Sequence, residues 1–200
     1  MADKTAIIIA IVAIITLGAI WLWPTPNKES FTSNSTDNNM SMTLKLESPA
    51  FADGEFIASK YTCDEINISP PLKISGVPAE TKSLVLIMDD PDVPKALRPD
   101  GIFDHWVVYN IPPTVTFFDE GEFEGTLGNN GSGEAKYTGP CPPIQYEPTT
   151  HRYFFRLYAT DIPVLNFIKA PTKPEVLTAI QGHIIDEVEL MGKYDRLKTI

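Results

Sequence analysis

The chain is poor in cysteine, histidine and positive charge. Only Cys63 and Cys141 occur among its 200 residues, too few for a disulfide framework or a zinc site built from thiolates alone. Sixteen Lys and Arg stand against 26 Asp and Glu, a formal net charge of -10 with pI near 4.7. Such a chain repels phosphate backbones, so nucleic acid is not an expected partner. Any bound anion must be held by local donors against that field. Glycine (12) is outnumbered by proline (18), which argues for turns and edge strands over long helices. There is no Gly-x-Ser-x-Gly and no His-Glu-x-x-His, which removes the nucleophile elbow and the helical zinc-protease site. No internal repeat is visible. The hydrophobic share of 43% excludes a disordered chain.

The apolar residues are unevenly spread. From Thr5 to Trp23 the chain is uncharged and almost wholly apolar. At about 1.5 Å per residue, that run just spans a bilayer core of about 30 Å. No small-residue cleavage signal follows it, and Trp21 and Trp23 stand where interfacial anchors stand. Residues 1–23 are expected to form an uncleaved signal anchor, a single transmembrane helix with the globular domain outside the cytoplasm. A cleaved signal peptide is the alternative. Residues 24–42 are rich in Asn, Ser, Thr and Pro without periodicity, a flexible linker. Residues 43–200 make the globular domain.

That domain is organised around Leu84–Pro112. Leu84 to Met88 and His105 to Ile111 are apolar runs of strand length. Between them lie Asp89, Asp90 and Asp92, then Val93-Pro94, a candidate cis bond. If the two runs pair, the carboxylates and His105 meet at one end of a sheet. Taken alone, the loop reads equally well as a solvated acidic turn. His151 to Asp161 forms another long strand, in which His151 and Tyr153 share a face with Phe155 and Leu157. Thr172 and Glu175 fit a capping box, and Val176, Ile180, Ile184 and Val188 recur every four residues. Those spacings predict an amphipathic helix from about Pro174 to Leu190. His183 falls within it as a surface or helix-packing residue.

Four blocks carry a resemblance. They are Asp90-Pro91-Asp92-Val93-Pro94, His105-Trp106-Val107-Val108-Tyr109, Tyr137-Thr138-Gly139-Pro140-Cys141 and His151-Arg152-Tyr153-Phe154-Phe155. In this order they resemble the phosphatidylethanolamine-binding protein family, in its bacterial and archaeal Raf-kinase-inhibitor-like (YbhB/YbcL-like) branch. Tyr61 to Asp64, Asn67 to Leu72 and Glu187 to Tyr194 fit as well, so the likeness runs from about Leu44 to Arg196. It implies a mainly β, β-sandwich-like fold of two antiparallel sheets with peripheral helices. It also implies a small cavity that binds phosphate, carboxylate or a phospholipid head group. Carried over by motif, the ligand-binding residues are Asp90, Asp92, Pro94 (taken as cis), His105, Gly139, His151 and Tyr153. Imidazole N–H groups and a backbone N–H are expected to hold the anion, with carboxylates orienting the imidazoles.

Two stretches depart from the family pattern near the cavity rim: Glu65-Ile66 after Cys63-Asp64, and Ile144 to Thr150 before His151. Both bear on ligand preference. Cys63 and Cys141 fall in blocks that approach the cavity, and an extracytoplasmic location would favour a disulfide between them. The expectation is thus a membrane-tethered, non-catalytic anion-binding protein without cofactor or metal. A surface-acting inhibitor of a protease or kinase is the alternative. A hydrolase using the Asp and His residues is a minor one.

Overall fold

The computed structural model describes residues 43–197. Among the described residues eight strands make two antiparallel sheets. The smaller holds β1 (Lys45–Glu47), β2 (Leu72–Ser75) and β5 (Phe117–Phe118), in the order β1-β2-β5. The larger holds β3 (Ser83–Asp90), β4 (Phe103–Ile111), β6 (Thr126–Leu127), β7 (His151–Thr160) and β8 (Ile184–Tyr194), in the order β6-β4-β3-β7-β8.

Strand β3 lies at the centre and is buried along its whole length. Its run Leu84–Met88 does not alternate in polarity because both of its faces are covered. Leu84, Leu86 and Met88 point into the core between the sheets, with Trp106, Phe118, Phe155 and Leu157. Val85 and Ile87 point the other way, into a second core that includes Val107, Tyr109, Val176 and Ile180. The single α-helix among the described residues, α1 (Lys173–Ile180), closes that second core. It buries Val176 and Ile180 completely, at about 2 kcal/mol each.

The predicted capping box is present. The Glu175 carboxylate accepts from the Thr172 N–H at 2.7 Å and from the Thr172 hydroxyl at 2.8 Å. The helix, however, stops at Ile180, and the reading of one helix to Leu190 is corrected. Gly182 takes φ +80°, a conformation that ends a helix, and Ile184 onward pairs with β7 as an edge strand. A spacing of four residues also returns a side chain to the same face of a strand, so the pattern over 176–188 did not distinguish the two.

The expected leading transmembrane helix is also corrected. Among the described residues no helix is long and apolar enough to cross a membrane. Residues 1–23, on which that expectation and the single-pass location rested, lie outside the described residues, as does the linker 24–42. The mainly β fold of two antiparallel sheets stands without them.

Two irregularities interrupt the pairing of β4 with β3. Near one end Asn110 adopts φ 55° and breaks the register. Its side chain donates to the Leu165 carbonyl at 3.0 Å and accepts from the Leu165 N–H at 2.7 Å, which pins the connection before α1. Near the other end Met88 pairs with Trp106 but Asp89 pairs with Asp104, so His105 is an extra residue. It is a β-bulge beside a cavity.

Candidate functional site

Asp89 and Asp90 end β3 and point to opposite faces of the sheet. On the outer side the Asp89 carboxylate accepts from Lys173 Nζ at 2.6 Å and from Arg156 Nη1 at 2.7 and 2.8 Å. On the inner side Asp90 Oδ2 accepts from His151 Nδ1 at 2.6 Å. His151 starts β7 on the same face as Tyr153 and Phe155, and both Asp90 and His151 are buried. Asp90 Oδ1 accepts from the Asp92 N–H at 2.8 Å, which fixes the turn after the strand.

The bulge carries His105 to the same place. Its Nδ1 donates to the Thr138 carbonyl at 2.6 Å, while its own carbonyl accepts from the Thr138 N–H at 3.0 Å. The segment Tyr137–Pro143 is thereby clamped to β4. Tyr137 reinforces the clamp: its ring stands edge-on to Trp106 at 5.5 Å, and its hydroxyl donates to the Tyr61 carbonyl at 2.8 Å. The expected disulfide is present, with Cys63 and Cys141 joined across 78 residues and their Cα atoms 5.5 Å apart. Gly139 packs so closely on the neighbouring loop that a Cβ would lie 2.3 Å from the Tyr61 carbonyl oxygen.

These elements enclose a cavity of about 350 Å³ lined by Asp90, His105, Gly139 and His151 together with Arg98 and Phe103. His105 and His151 each use Nδ1 on a protein acceptor. Each leaves Nε2 buried with no hydrogen-bond partner among the described residues. Burial pushes the His105 pKa below its ordinary value; the Thr138 carbonyl and the carboxylates of Asp90, Asp104 and Asp89 pull the other way without reversing it. Arg98 lines the wall with its guanidinium 5.3 Å from the Phe103 ring centroid, and Nη1 donates to the Gly131 carbonyl at 3.0 Å.

Of the seven residues expected to touch a ligand, Asp90, His105, Gly139 and His151 line the cavity. The other three stand behind it. Asp92 holds Arg152 through three hydrogen bonds of 2.7–2.9 Å, and its side-chain bond to Arg152 lowers its pKa. Tyr153 is fully buried, with its ring edge-on to His105 at 5.2 Å, and burial raises its hydroxyl pKa well above the ordinary value.

Pro94 is not cis; among the described residues the cis bond is Glu147–Pro148. The Pro94 carbonyl accepts from Leu97 at 2.8 Å and Arg98 at 3.1 Å, so Pro94 opens a tight turn, a place where trans proline fits. That turn delivers Arg98 to the wall. The Gly139 N–H donates to Asn67 Oδ1 at 2.7 Å, so the backbone N–H expected at the anion is not this one. Arg98, Phe103 and Thr138 were not singled out from the sequence. Arg98 offered one cue, as a cation within the loop joining the two strands of an acidic domain. His183 stands apart, half exposed beside Asp161.

The family described as phosphatidylethanolamine-binding protein matches residues 47–195. A UPF0098 protein of Chlamydia trachomatis is 47% identical over 154 residues, covering 76% of this chain and 99% of the relative. A UPF0098 protein of Methanothermobacter thermautotrophicus is 46% identical over 160 residues, covering 76% and 99%. Among solved structures, a putative phosphatidylethanolamine-binding protein homolog from Chlamydia trachomatis superposes with TM-score 0.73 at 46% identity, over 78% of this chain and 99% of that one. Escherichia coli YbcL superposes with TM-score 0.67 at 27% identity, over 76% and 98%.

Proposed function

The chain belongs to the phosphatidylethanolamine-binding protein family, and on that footing we propose that it is a binding protein whose cavity holds the anionic group of a small molecule or lipid head group. One observation carries this reading. Two buried imidazoles, His105 and His151, line one small cavity, each fixed through Nδ1 and each with Nε2 unpartnered among the described residues. Buried polar atoms in native proteins find partners, so a cavity built around two such atoms is built for a polar ligand. The Arg98 guanidinium on the wall supplies positive charge at short range, which a domain of this acidity needs. The negative charge of Asp90 is turned toward His151 and orients that ring.

The binding is non-catalytic. Cys141, the thiol on the wall, is held in the disulfide and does not serve as a nucleophile. Isothermal titration with inorganic phosphate and with phosphorylethanolamine tests the reading. Saturable 1:1 binding, lost in His105→Ala and His151→Ala proteins that keep their β-rich circular dichroism, is the expected result. Absence of heat with both ligands, or undiminished binding in both variants, overturns it.

A further inference from the structure

We propose that the cavity selects an oxyacid that still carries one proton, a phosphomonoester or phosphonate monoanion, and that His105 is the residue that reads this proton. The inference rests on the anion-binding reading above and goes beyond it, because it concerns the direction of the hydrogen bonds and not the charge. Donors and acceptors on the cavity floor can be assigned in turn. The Gly139 N–H is bound to Asn67. The Thr138 carbonyl can only accept, so the hydrogen on His105 sits on Nδ1. His105 is 4% exposed, with the Phe103 ring at 4.8 Å and the Tyr153 ring at 5.2 Å. Such surroundings favour the neutral ring, and its Nε2 then presents a lone pair.

The charges nearest His105 do not reverse this. Asp89 and Asp104 on the outer side are bound to Lys173 at 2.6 and 2.8 Å, and Asp90 is bound to His151. Arg98, which lines the same cavity, opposes a second positive charge. A fully ionised oxyanion offers only lone pairs, and setting one against a buried lone pair leaves both unsatisfied. An oxyanion with one O–H donates that hydrogen to His105 Nε2 and keeps its remaining oxygens for the Arg98 guanidinium on the wall. By the same reasoning a phosphodiester fits less well than a phosphomonoester, because it has no phosphate O–H.

The test is a pair of ligands of like shape and equal charge: methylphosphonate and methanesulfonate, titrated into wild-type protein in mildly acidic buffer, where the phosphonate is a monoanion with one O–H. Methylphosphonate is expected to bind at least about tenfold more tightly. In His105→Gln, whose amide can donate as well as accept, the ratio is expected to shrink toward one. Equal affinities in wild type overturn the selection of a protonated ligand while leaving the anion site intact. An unchanged ratio in His105→Gln overturns the part assigned to that residue. Failure of both ligands, together with inorganic phosphate, overturns the anion site and this inference with it.

Discussion

Asp89 and Asp90 are adjacent in β3, yet one binds Lys173 and Arg156 beneath α1 while the other binds His151 at the cavity. The alternation of a strand thus gives two neighbouring carboxylates unrelated tasks. Their variants should separate cleanly. Asp89→Ala strands partly buried cations and is expected to cost about 3 kcal/mol in urea unfolding, with ligand affinity unchanged. Asp90→Asn should cost about ten- to a hundredfold in affinity through the loss of a charge-assisted bond that fixes His151. Loss of affinity in Asp89→Ala of the same size as in Asp90→Asn would contradict this division.

His105 makes stability depend on pH in a definite direction. Its folded pKa lies below the ordinary 6.5 because of burial. Below that value the unfolded chain takes up a proton that the native state resists, so stability falls as pH drops through about 6.5. Above it the residue adds no slope. Asp92, lowered by Arg152, acts in a more acid window, since its contribution is lost only as pH falls below the ordinary carboxylate range. Urea midpoints measured just above neutrality and in mild acid should therefore differ more in wild type than in His105→Gln. Identical differences would show that burial of this ring does not govern its titration.

The disulfide closes a long loop and ties Cys141, on the cavity wall, to the segment before β2. In the chain-entropy model a loop of this size stabilises by about 4 kcal/mol. Thermal unfolding with and without reductant should show a large drop in midpoint, and thiol titration of unreduced native protein should find no free thiol. Two reactive thiols would rule the bond out.

Gly139 stands where a side chain does not fit. A Cβ there would meet the Tyr61 carbonyl oxygen at 2.3 Å and Asn67 Oδ1 at 2.6 Å. Gly139→Ala is expected to push the wall off its neighbour at a cost of about 1–3 kcal/mol, and to weaken phosphate binding in the same calorimetric assay. A variant with wild-type stability would mean that the two loops separate freely.

The sequence was legible where length and flanking residues decided an element. The apolar runs at 84–88 and 105–111 are of strand length and flank an Asp- and Pro-rich loop, and the capping box at Thr172 marks a helix start. The run through Val176, Ile180, Ile184 and Val188 misled because four is a multiple of the strand period and lies near the helix period, while Gly182 broke the element in between. At the site, Asp90, His105, Gly139 and His151 came from motif resemblance and do line one cavity. Arg98 was missed because it reaches the wall from an irregular turn, where spacing carries no information about direction. The bond of the Gly139 N–H was not foreseen for a related reason: its partner is Asn67, 72 positions away, and nothing local announces such a bond.

The bulge in β4 has a consequence for how such a domain can change over generations. Pairing is regular on both sides of His105, and the register shifts by one residue across it. A descendant that deleted this single codon would restore an unbroken ladder from Leu86 to Asp90 and lose the imidazole without displacing Trp106 or Asp104 from their faces. A substitution at the same codon would change a side chain on the cavity wall and leave the ladder alone. His105 is therefore held outside the repeat on which folding depends, so selection can revise one without renegotiating the other.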